Sequence, residues 1–371
     1  MTLIRAGTVV VDAEVYRPGW VRTERRLIAD CGSGTPTAEP DVDLPDCVVV
    51  PGFIDMHVHG GGGASFSDAP AAAAQFHRRH GTTTTLASLV TAAPAELITS
   101  VRLLADATRE GVVSGTHLEG PWLSASRCGA HDHTQLRFPD PAEIDAVLTA
   151  AGGTIRMVTL APELPGSDDA IRRFLDAGVV VAVGHTDATY EQTQHALALG
   201  ATVCTHLFNA MPPLNHREPG PVLALLQDPR VTIELIADGV HVRPEMAAAV
   251  LGWAGADRVA VITDATAAAG SEEGEYLLGT VPVVVAGGVA TVRGTATIAG
   301  SLATMDQLFR AVAGTAGLAA AVQTTSTTPA RALGLDRVGV IRAGYQANLV
   351  VLGQDLRVRQ VMVEGSWLAD R

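Results

Sequence analysis

The sequence is poor in several kinds of residue, and each shortage excludes a class of protein. Its 371 residues include 4 cysteines and only 4% aromatics, and none of its 26 basic residues is a lysine. The missing lysine rules out a Schiff-base lysine, a phosphate-loop lysine and a carbamylated-lysine metal bridge. The net charge of -13 argues against a nucleic-acid partner, because phosphate backbones are bound by surplus basic residues.

The cysteines and the hydrophobic runs point away from disulfides and membranes. The four cysteines show no C-x-x-C spacing, which favours reduced thiols in the cytoplasm. The longest stretch without a charged residue or a histidine, residues 311–330, is interrupted by Gly, Thr, Ser and Pro and is not apolar enough to span a bilayer. At this length a core forms without structural metals, so any metal site is expected to be functional.

What the sequence does contain is a repeated pattern of β-rich apolar runs, each followed by an Ala/Leu-rich stretch of helical period. Such alternation is typical of a parallel sheet with helical crossovers, and eight units predict an α/β fold of the (β/α)₈ TIM-barrel type. The eight runs are residues 48–59, 82–88, 114–119, 155–163, 179–185, 201–206, 231–238 and 258–264.

The flanking segments are short β-like pieces with turn residues. We expect residues 1–50 and 336–371 to pair into one small β-sandwich domain built from both chain termini, beside a barrel formed by residues 51–335. A further β-rich stretch at 275–294 follows the eighth run and predicts an inserted β-hairpin.

Polar residues with catalytic chemistry end most of the eight runs. Because the carboxyl ends of barrel strands meet at one mouth, these residues are expected to form a single site. Their imidazoles and carboxylates match the ligand preference of Zn²⁺ and similar divalent ions, and one bridging Glu119 could serve two metals. Asp264 is the candidate acid/base, with a further ligand or a helix N-cap as the alternatives. The residues are His57, His59, Glu119, His185, His206 and Asp264.

Several longer motifs resemble one enzyme family. PGFIDMHVHG, THLEGPW, VGHTDA, THLFNAMPP, ADGVHV, ITDA and AGSLATMD, in this order, are similar to the N-acetylglucosamine-6-phosphate deacetylases of the amidohydrolase superfamily. The resemblance implies a metal-dependent hydrolase that converts N-acetylglucosamine 6-phosphate to glucosamine 6-phosphate and acetate, with one or two divalent ions per subunit. Zinc is the expected metal, and Fe, Co and Mn share the same ligand types.

The same resemblance implies roles for individual residues. Glu119, His185 and His206 correspond to the main metal ligands, Asp264 to the acid/base, and His131 to a donor for the scissile carbonyl. Since the chain has no lysine, the sugar phosphate is expected to contact arginine, histidine, asparagine or backbone N–H groups. The resemblance supplies Asn209, Ala210, Arg217 and His241 for this contact. It also implies a homodimer whose site is completed across the subunit interface.

Two other interpretations stay open at this point. The same chemistry could act on another N-acylated substrate, such as an N-acyl-D-amino acid, a dipeptide or a different acetylated hexosamine phosphate. A non-catalytic barrel relative is the second, although such proteins usually lack ligands that are present here. His117, on the strand of Glu119, is expected to fill a lower barrel layer, and Cys128 is either part of a closing loop or without a role.

Overall fold

The computed structural model describes residues 1–369. The chain begins with strands of a sheet that we call the terminal sheet. Five strands come first, and among them residues 19–24 alternate buried with more exposed side chains, as a sheet with one covered face requires. They are β1 (Thr2–Val11), β2 (Glu14–Tyr16), β3 (Gly19–Glu24), β4 (Leu27–Ser33) and β5 (Val42–Pro51).

The barrel follows directly after β5. Its eight strands are hydrogen-bonded in parallel in chain order, and helices join most of them, which confirms the predicted (β/α)₈ barrel. The strands are β6 (Phe53–Asp55), β9 (Thr82–Leu89), β10 (Gly115–Glu119), β11 (Ile155–Leu160), β12 (Val180–Val183), β13 (Val203–Cys204), β14 (Thr232–Leu235) and β15 (Val259–Val261), and a two-stranded ribbon of β7 (Gly60–Gly61) and β8 (Ala64–Ser65) follows β6.

The helices between the strands bury one face against the barrel. Several begin with a proline in the first turn, and Asp140 and Thr189 cap α3 and α5 by accepting backbone N–H groups. The seven helices are α1 (Pro70–Arg79), α2 (Pro94–Arg109), α3 (Pro141–Ala151), α4 (Ser167–Asp176), α5 (Tyr190–Leu199), α6 (Gly220–Gln227) and α7 (Pro244–Ala254).

An antiparallel sheet and a helical segment complete the barrel side. The stretch predicted as a hairpin contains three strands instead of two, β16 (Gly274–Leu278), β17 (Val281–Ala286) and β18 (Val289–Val292). The helical segment comprises α8 (Met305–Ala316), α9 (Leu318–Val322), a π-helical turn at 323–327 and α10 (Thr328–Ala332). No helix within residues 1–369 combines the length and the apolar character needed to cross a membrane.

The last strands return to the first sheet. β19 (Leu349–Leu352) pairs with β5, and β20 (Val358–Val363) and β21 (Ser366–Trp367) continue outward, so the sheet is built from both ends of the chain. It encloses an apolar core that includes Ile4, Val49 and Leu349. This confirms the predicted β-sandwich.

The first predicted barrel run, 48–59, divides into three parts. Residues 48–51 belong to β5 of the terminal sheet, residues 53–55 form the barrel strand, and His57 and His59 lie beyond that strand. The expectation that both histidines belong to a regular strand is therefore wrong. Gly52 lies at the break between the two strands, and a side chain does not fit there because a Cβ would lie 2.1 Å from the Thr83 hydroxyl.

Side-chain and backbone bonds join the last barrel strand to the first. The Asp55 carboxylate accepts from the Thr263 hydroxyl at 2.5 Å and from the Thr263 backbone N–H at 3.3 Å. The Asp264 backbone N–H donates to the His57 carbonyl at 2.9 Å. These bonds bring the His57–His59 segment beside Asp264. Although the hydrogen bonds oppose it, burial raises the pKa of Asp55 to about 7.

A second buried carboxylate, Asp306 in the first turn of α8, gives a prediction about stability. It accepts hydrogen bonds from His80 at 3.2 Å, Thr304 at 2.6 Å and Arg310 at 2.8 Å. Burial alone would raise its pKa, but these bonds hold the pKa well below its usual range. A carboxylate with a lowered folded pKa stabilises the fold above its unfolded pKa of about 3.9, and that contribution is lost as the pH falls below it.

We therefore expect Asp306→Asn to reduce the free energy of unfolding at pH 7 by roughly 1–3 kcal/mol. The difference from the parent protein should shrink as the pH falls below about 4, because the unfolded chain then binds a proton on Asp306 that the folded protein does not bind. Thermal unfolding followed by circular dichroism across this range checks it, with the exposed Asp176→Asn as control. A difference that is constant with pH would contradict the role of the ionised carboxylate.

Candidate active site

A cavity of about 290 Å³ lies at the carboxyl ends of the barrel strands, and we call it the site cavity. Nine of the eleven residues that the sequence predicted for the site line it. They are His59, Glu119, His131, His185, His206, Asn209, Ala210, His241 and Asp264. His57 is fully buried and lies against Glu119, and Arg217 is exposed outside this cavity.

Glu119, the last residue of β10, is the centre of the cluster. Its Oε1 lies 3.0 Å from the Nε2 atoms of both His185 and His206 and 3.4 Å from that of His57. Its Oε2 lies 3.1 Å from Nε2 of His59 and 3.3 Å from that of His131. The two oxygens of one carboxylate thus face two groups of imidazoles.

Asp264 lies on the His57–His59 side of this cluster. Its Oδ1 is 3.2 Å from Nε2 of His59 and 3.5 Å from Nε2 of His57. The carboxylate remains slightly open to the site cavity, with a side-chain exposure of 11%. A group in this position can exchange a proton with a molecule in the cavity, which a fully enclosed carboxylate could not do.

The hydrogen-bond partners of the outer ring nitrogen, Nδ1, show which tautomer each histidine adopts. His185 Nδ1 lies 2.8 Å from the Arg127 carbonyl, and His57 Nδ1 lies 3.0 Å from the Glu234 carboxylate. Since both partners only accept, each ring carries an N–H on Nδ1, and its neutral form presents the Nε2 lone pair to the centre. This is the arrangement of a metal-ligating histidine.

His131 has the opposite arrangement. Its Nδ1 accepts the backbone N–H of Thr91 at 3.2 Å, and the Thr91 hydroxyl lies 2.9 Å from the same atom. The proton of neutral His131 is therefore on Nε2, which points into the site cavity as a donor. Burial, although opposed by Glu119, lowers the pKa of His131 to about 4, so the ring is neutral at pH 7.

The cluster fits a divalent cation. The Nε2 atoms of His185 and His206 lie 3.1 Å apart, and those of His57 and His59 lie 3.3 Å apart. In the neutral form of these rings the Nε2 atoms of His57 and His185 face a carboxylate that also only accepts, and buried acceptors cannot satisfy one another. A cation between them removes the conflict, and imidazole with carboxylate is a donor set suited to Zn²⁺, Fe, Co or Mn.

Two groupings of these donors are compact enough to hold an ion. One is His57, His59, Glu119 and Asp264, and the other is Glu119, His131 and His185. His206 lies next to the second group through its contacts with Glu119 and His185. The tautomer of His131 makes it a donor, so His206 is the better third ligand of that group.

The backbone is strained where the site residues lie. His185, His206 and Asp264 have φ values of 47°, 21° and 49°, in the left-handed region that residues with a Cβ seldom adopt. Ala210 is similar at 51°. Each such residue costs on the order of 1–3 kcal/mol, and such strain concentrates at functional sites. The surrounding barrel therefore imposes these conformations.

Two residues that were not predicted from the sequence, Glu234 and Thr91, support the site from behind. Glu234 of β14 is fully buried, bonds to His57 Nδ1, and accepts the His206 backbone N–H at 3.2 Å. A glutamate inside the apolar run VTIELIAD was the available signal. Thr91, which fixes the His131 ring, gave no signal because threonine at a strand end is common.

Asp238 supports His241 in the loop after β14. Its carboxylate accepts the backbone N–H groups of Val240 and His241 and lies 2.8 Å from His241 Nδ1. Although burial opposes it, this hydrogen bond raises the pKa of His241. The ring is thus biased towards its cationic form, which suits an anionic ligand in the site cavity.

The remaining residues considered from sequence lie outside the cavity. The His117 ring is buried 4.5 Å from that of His57, with Ser88 and Thr159 hydroxyls 2.9 Å from its two nitrogens, as expected for a lower barrel layer. Cys128 is half-buried in the loop before His131 and does not line the cavity.

The chain is similar in sequence to enzymes of known activity. The sequence model described as Amidohydrolase family matches residues 48–368. The chain is 36% identical over 360 residues to N-acetylgalactosamine-6-phosphate deacetylase of Escherichia coli O157:H7, covering 94% of this chain and 95% of that protein. It is 36% identical over 385 residues to N-acetylglucosamine-6-phosphate deacetylase of Bos taurus, covering 98% and 91% respectively.

A solved structure shows the same similarity. A variant of N-acetyl-D-glucosamine-6-phosphate deacetylase from Mycobacterium smegmatis, in complex with N-acetyl-D-glucosamine-6-phosphate, superposes with a TM-score of 0.97 at 50% identity. The alignment covers 99% of this chain and 98% of that chain. The similarity therefore extends over both the barrel and the terminal sheet.

Proposed function

The chain belongs to the amidohydrolase family, and from this premise we propose that it hydrolyses N-acetylglucosamine 6-phosphate to glucosamine 6-phosphate and acetate. One observation carries the proposal. The site cavity contains the imidazole–carboxylate centre on one side and Asn209, Ala210 and His241, which can bind an anion, on another. An amide and a phosphate on the same small molecule can be held by these two parts together.

We assign the metal to Glu119, His185 and His206, with His57 and His59 as ligands of a second ion that shares Glu119. Zinc is the ion we propose, because this donor set and its burial match its preference. The chemistry that a bound divalent ion supplies is to lower the pKa of a water molecule and to polarise the amide carbonyl.

The chain's own residues perform the proton transfers. Asp264 takes a proton as water attacks the acetamide carbon and returns it to the amine as the C–N bond breaks. His131 donates its Nε2–H to the carbonyl oxygen, where negative charge develops. Thr91 keeps that proton on Nε2 by occupying Nδ1. One water is consumed, and the products are acetate and the protonated amine.

The phosphate end is assigned to Asn209, the backbone N–H of Ala210, and His241. Asn209 bonds through Nδ2 to the His206 and Leu207 carbonyls, at 3.2 and 3.3 Å. This bonding fixes the loop that follows the metal ligand. The raised pKa of His241 favours a charged donor for the phosphate.

We further propose a homodimer in which Arg217 reaches the phosphate of the neighbouring subunit. Arg217 is exposed on the loop after His206 and does not line the cavity of its own chain. The exposed apolar side chains Leu214, Val240 and Met246 lie on this loop and on the segment around His241, and they support an interface there.

Arg217→Ala is expected to raise the KM for the phosphorylated substrate roughly tenfold to a hundredfold, because it removes one charge-assisted hydrogen bond. The effect on kcat should be smaller, since the reacting amide is elsewhere. Steady-state kinetics measure both constants, and the exposed Arg172→Ala is a matched control. If the KM is unchanged, Arg217 does not contact the phosphate. If sedimentation shows only monomers, Arg217 cannot reach the site of a neighbouring subunit.

The proposed activity is tested with metal-loaded protein and four compounds at equal concentration. These are N-acetylglucosamine 6-phosphate, its galactosamine epimer, unphosphorylated N-acetylglucosamine, and an N-acyl-D-amino acid. We expect amine release to be at least a hundredfold faster from the glucosamine phosphate than from the unphosphorylated sugar, since a phosphate adds several charge-assisted bonds. Equal rates with and without phosphate would contradict the proposal, and faster release from the epimer would shift it to that sugar.

We also propose a cytoplasmic location, supported by the absence of disulfides among the four cysteines within residues 1–369. The division into one domain of residues 1–50 with 336–371 and a second of residues 51–335 is likewise a proposal. It is supported by the separate apolar core that the terminal sheet encloses.

A further inference from the structure

A second cavity of about 450 Å³ adjoins the site cavity, and we call it the side cavity. The two cavities share His59 and Leu278 in their walls. The side cavity is formed mainly by the segment between β9 and α2 and by the first turns of α2, and its rim at Ala95 and Thr99 is exposed. Its volume is in the range of small-molecule sites, which are about 300–1,000 Å³.

The side cavity lies on the opposite side of the barrel mouth from the proposed phosphate contacts. It follows β9, the second barrel strand, whereas Asn209 and Ala210 follow β13, the sixth. In a ring of eight strands the second and sixth lie opposite each other. The metal cluster lies between them, so the side cavity is across the centre from the proposed phosphate contacts.

The bonding of an amide substrate decides which of its parts can extend into the side cavity. Its nitrogen carries the amino sugar, and its carbonyl carbon carries the acyl substituent on the other side of the scissile bond. If the phosphate is bound near His241 and the carbonyl oxygen accepts from His131, the acyl substituent points towards His59 and Leu278. This step rests on the proposed function.

The lining of the side cavity suits an uncharged apolar chain. Leu89, Val90, Ala92, Leu97 and Leu278 supply apolar walls. Among the described residues that line the cavity, Glu96 at the exposed end is the one Asp, Glu or Arg, and His59 lies at the wall shared with the site cavity.

The inner hydroxyls of this cavity already have partners within the protein. Ser88 Oγ accepts the Val58 backbone N–H and lies 2.9 Å from His117 Nδ1. The Thr91 hydroxyl bonds to His131. A ligand here is therefore not required to supply polar partners.

We propose that the side cavity is an acyl-chain site, which lets the enzyme hydrolyse N-acyl glucosamine 6-phosphates whose unbranched acyl group is longer than acetyl, up to about six carbons. The reaction remains hydrolysis. Water adds its oxygen to the acyl carbon, the C–N bond breaks, and the products are the carboxylate and the protonated amine. No further reactant is needed.

The test compares the N-acetyl, N-butanoyl and N-hexanoyl forms of glucosamine 6-phosphate, with release of the common amine product as the readout. We expect kcat/KM for the butanoyl compound within about tenfold of that for the acetyl compound. Ala92→Leu fills the inner part of the side cavity and should lower kcat/KM for the hexanoyl compound at least tenfold more than for the acetyl compound.

Two further variants protect the test against a folding defect. Ala95→Trp narrows the exposed rim and should reduce hexanoyl turnover at least threefold more than acetyl turnover. Ala146→Trp, at an exposed alanine of α3 away from both cavities, should change no ratio.

Turnover of the acetyl compound alone, or equal losses for all chain lengths in the cavity variants, would overturn the acyl-chain site and leave the proposed function intact. No release from any of the three compounds would overturn both.

Discussion

Replacing Asp264 by Asn is expected to lower kcat by roughly 10²- to 10⁴-fold while the protein keeps its metal. The amide is nearly isosteric with the carboxylate but cannot take a proton from water or return one to the leaving amine. Hydrolysis of N-acetylglucosamine 6-phosphate gives the rate, and elemental analysis of the purified variant gives the metal content. The exposed Asp176→Asn should match the parent protein in both.

The metal content distinguishes two roles for Asp264. Its Oδ1 lies within 3.5 Å of both His57 and His59, so it belongs to one of the compact donor groups. If Asp264→Asn loses the metal along with the activity, Asp264 is a ligand and the acid/base assignment is wrong. A variant with a normal rate would remove Asp264 from the chemistry altogether.

Glu119→Gln is expected to abolish metal binding at both halves of the site and to reduce activity by at least about a thousandfold. The two oxygens of Glu119 face two different sets of imidazoles, so one substitution affects both. An amide offers one neutral oxygen and one NH₂ group, which cannot bridge two cations. Elemental analysis and the rate of amine release are the measurements.

The stability of this variant provides an independent readout. A ligand that binds only the native state stabilises it by RT ln(1 + [L]/Kd), about 4 kcal/mol at a concentration of 1,000 Kd. Added Zn²⁺ should therefore raise the melting temperature of the metal-stripped parent protein and leave Glu119→Gln unchanged. Glu163→Gln, at a half-buried glutamate outside the cluster, should respond as the parent protein does. An equal response of all three would place the ion elsewhere.

The eight barrel strands could be predicted because most of them are apolar runs buried on both faces, which few other structures require. The boundary between the terminal sheet and the barrel could not be predicted, because VVVPGFI is continuously apolar and both the end of β5 and the whole of β6 are buried. The break appears where the chain changes hydrogen-bonding partners, from β19 for β5 to β9 for β6, and those partners are set by the tertiary fold.

The site residues at strand ends could be predicted for the same reason, since strand ends share one mouth in a barrel. The distinction between His131 as a donor and His185 as a ligand could not be predicted from spacing. It depends on whether the outer nitrogen meets an N–H group, from Thr91, or a carbonyl, from Arg127. Neither partner is near its histidine in the sequence.

The pairing of β5 with β1 on one side and with β19 on the other has a consequence for the order in which the molecule is made. While the ribosome is still translating the barrel, one edge of β5 has no neighbour, and an unpaired edge is a surface on which other chains can add. At about 5–20 residues per second this interval is on the order of tens of seconds. Synthesis of the terminal sheet therefore starts before that of the barrel, but the sheet is completed only after the whole catalytic barrel has been synthesised, when β19 becomes available to pair with β5.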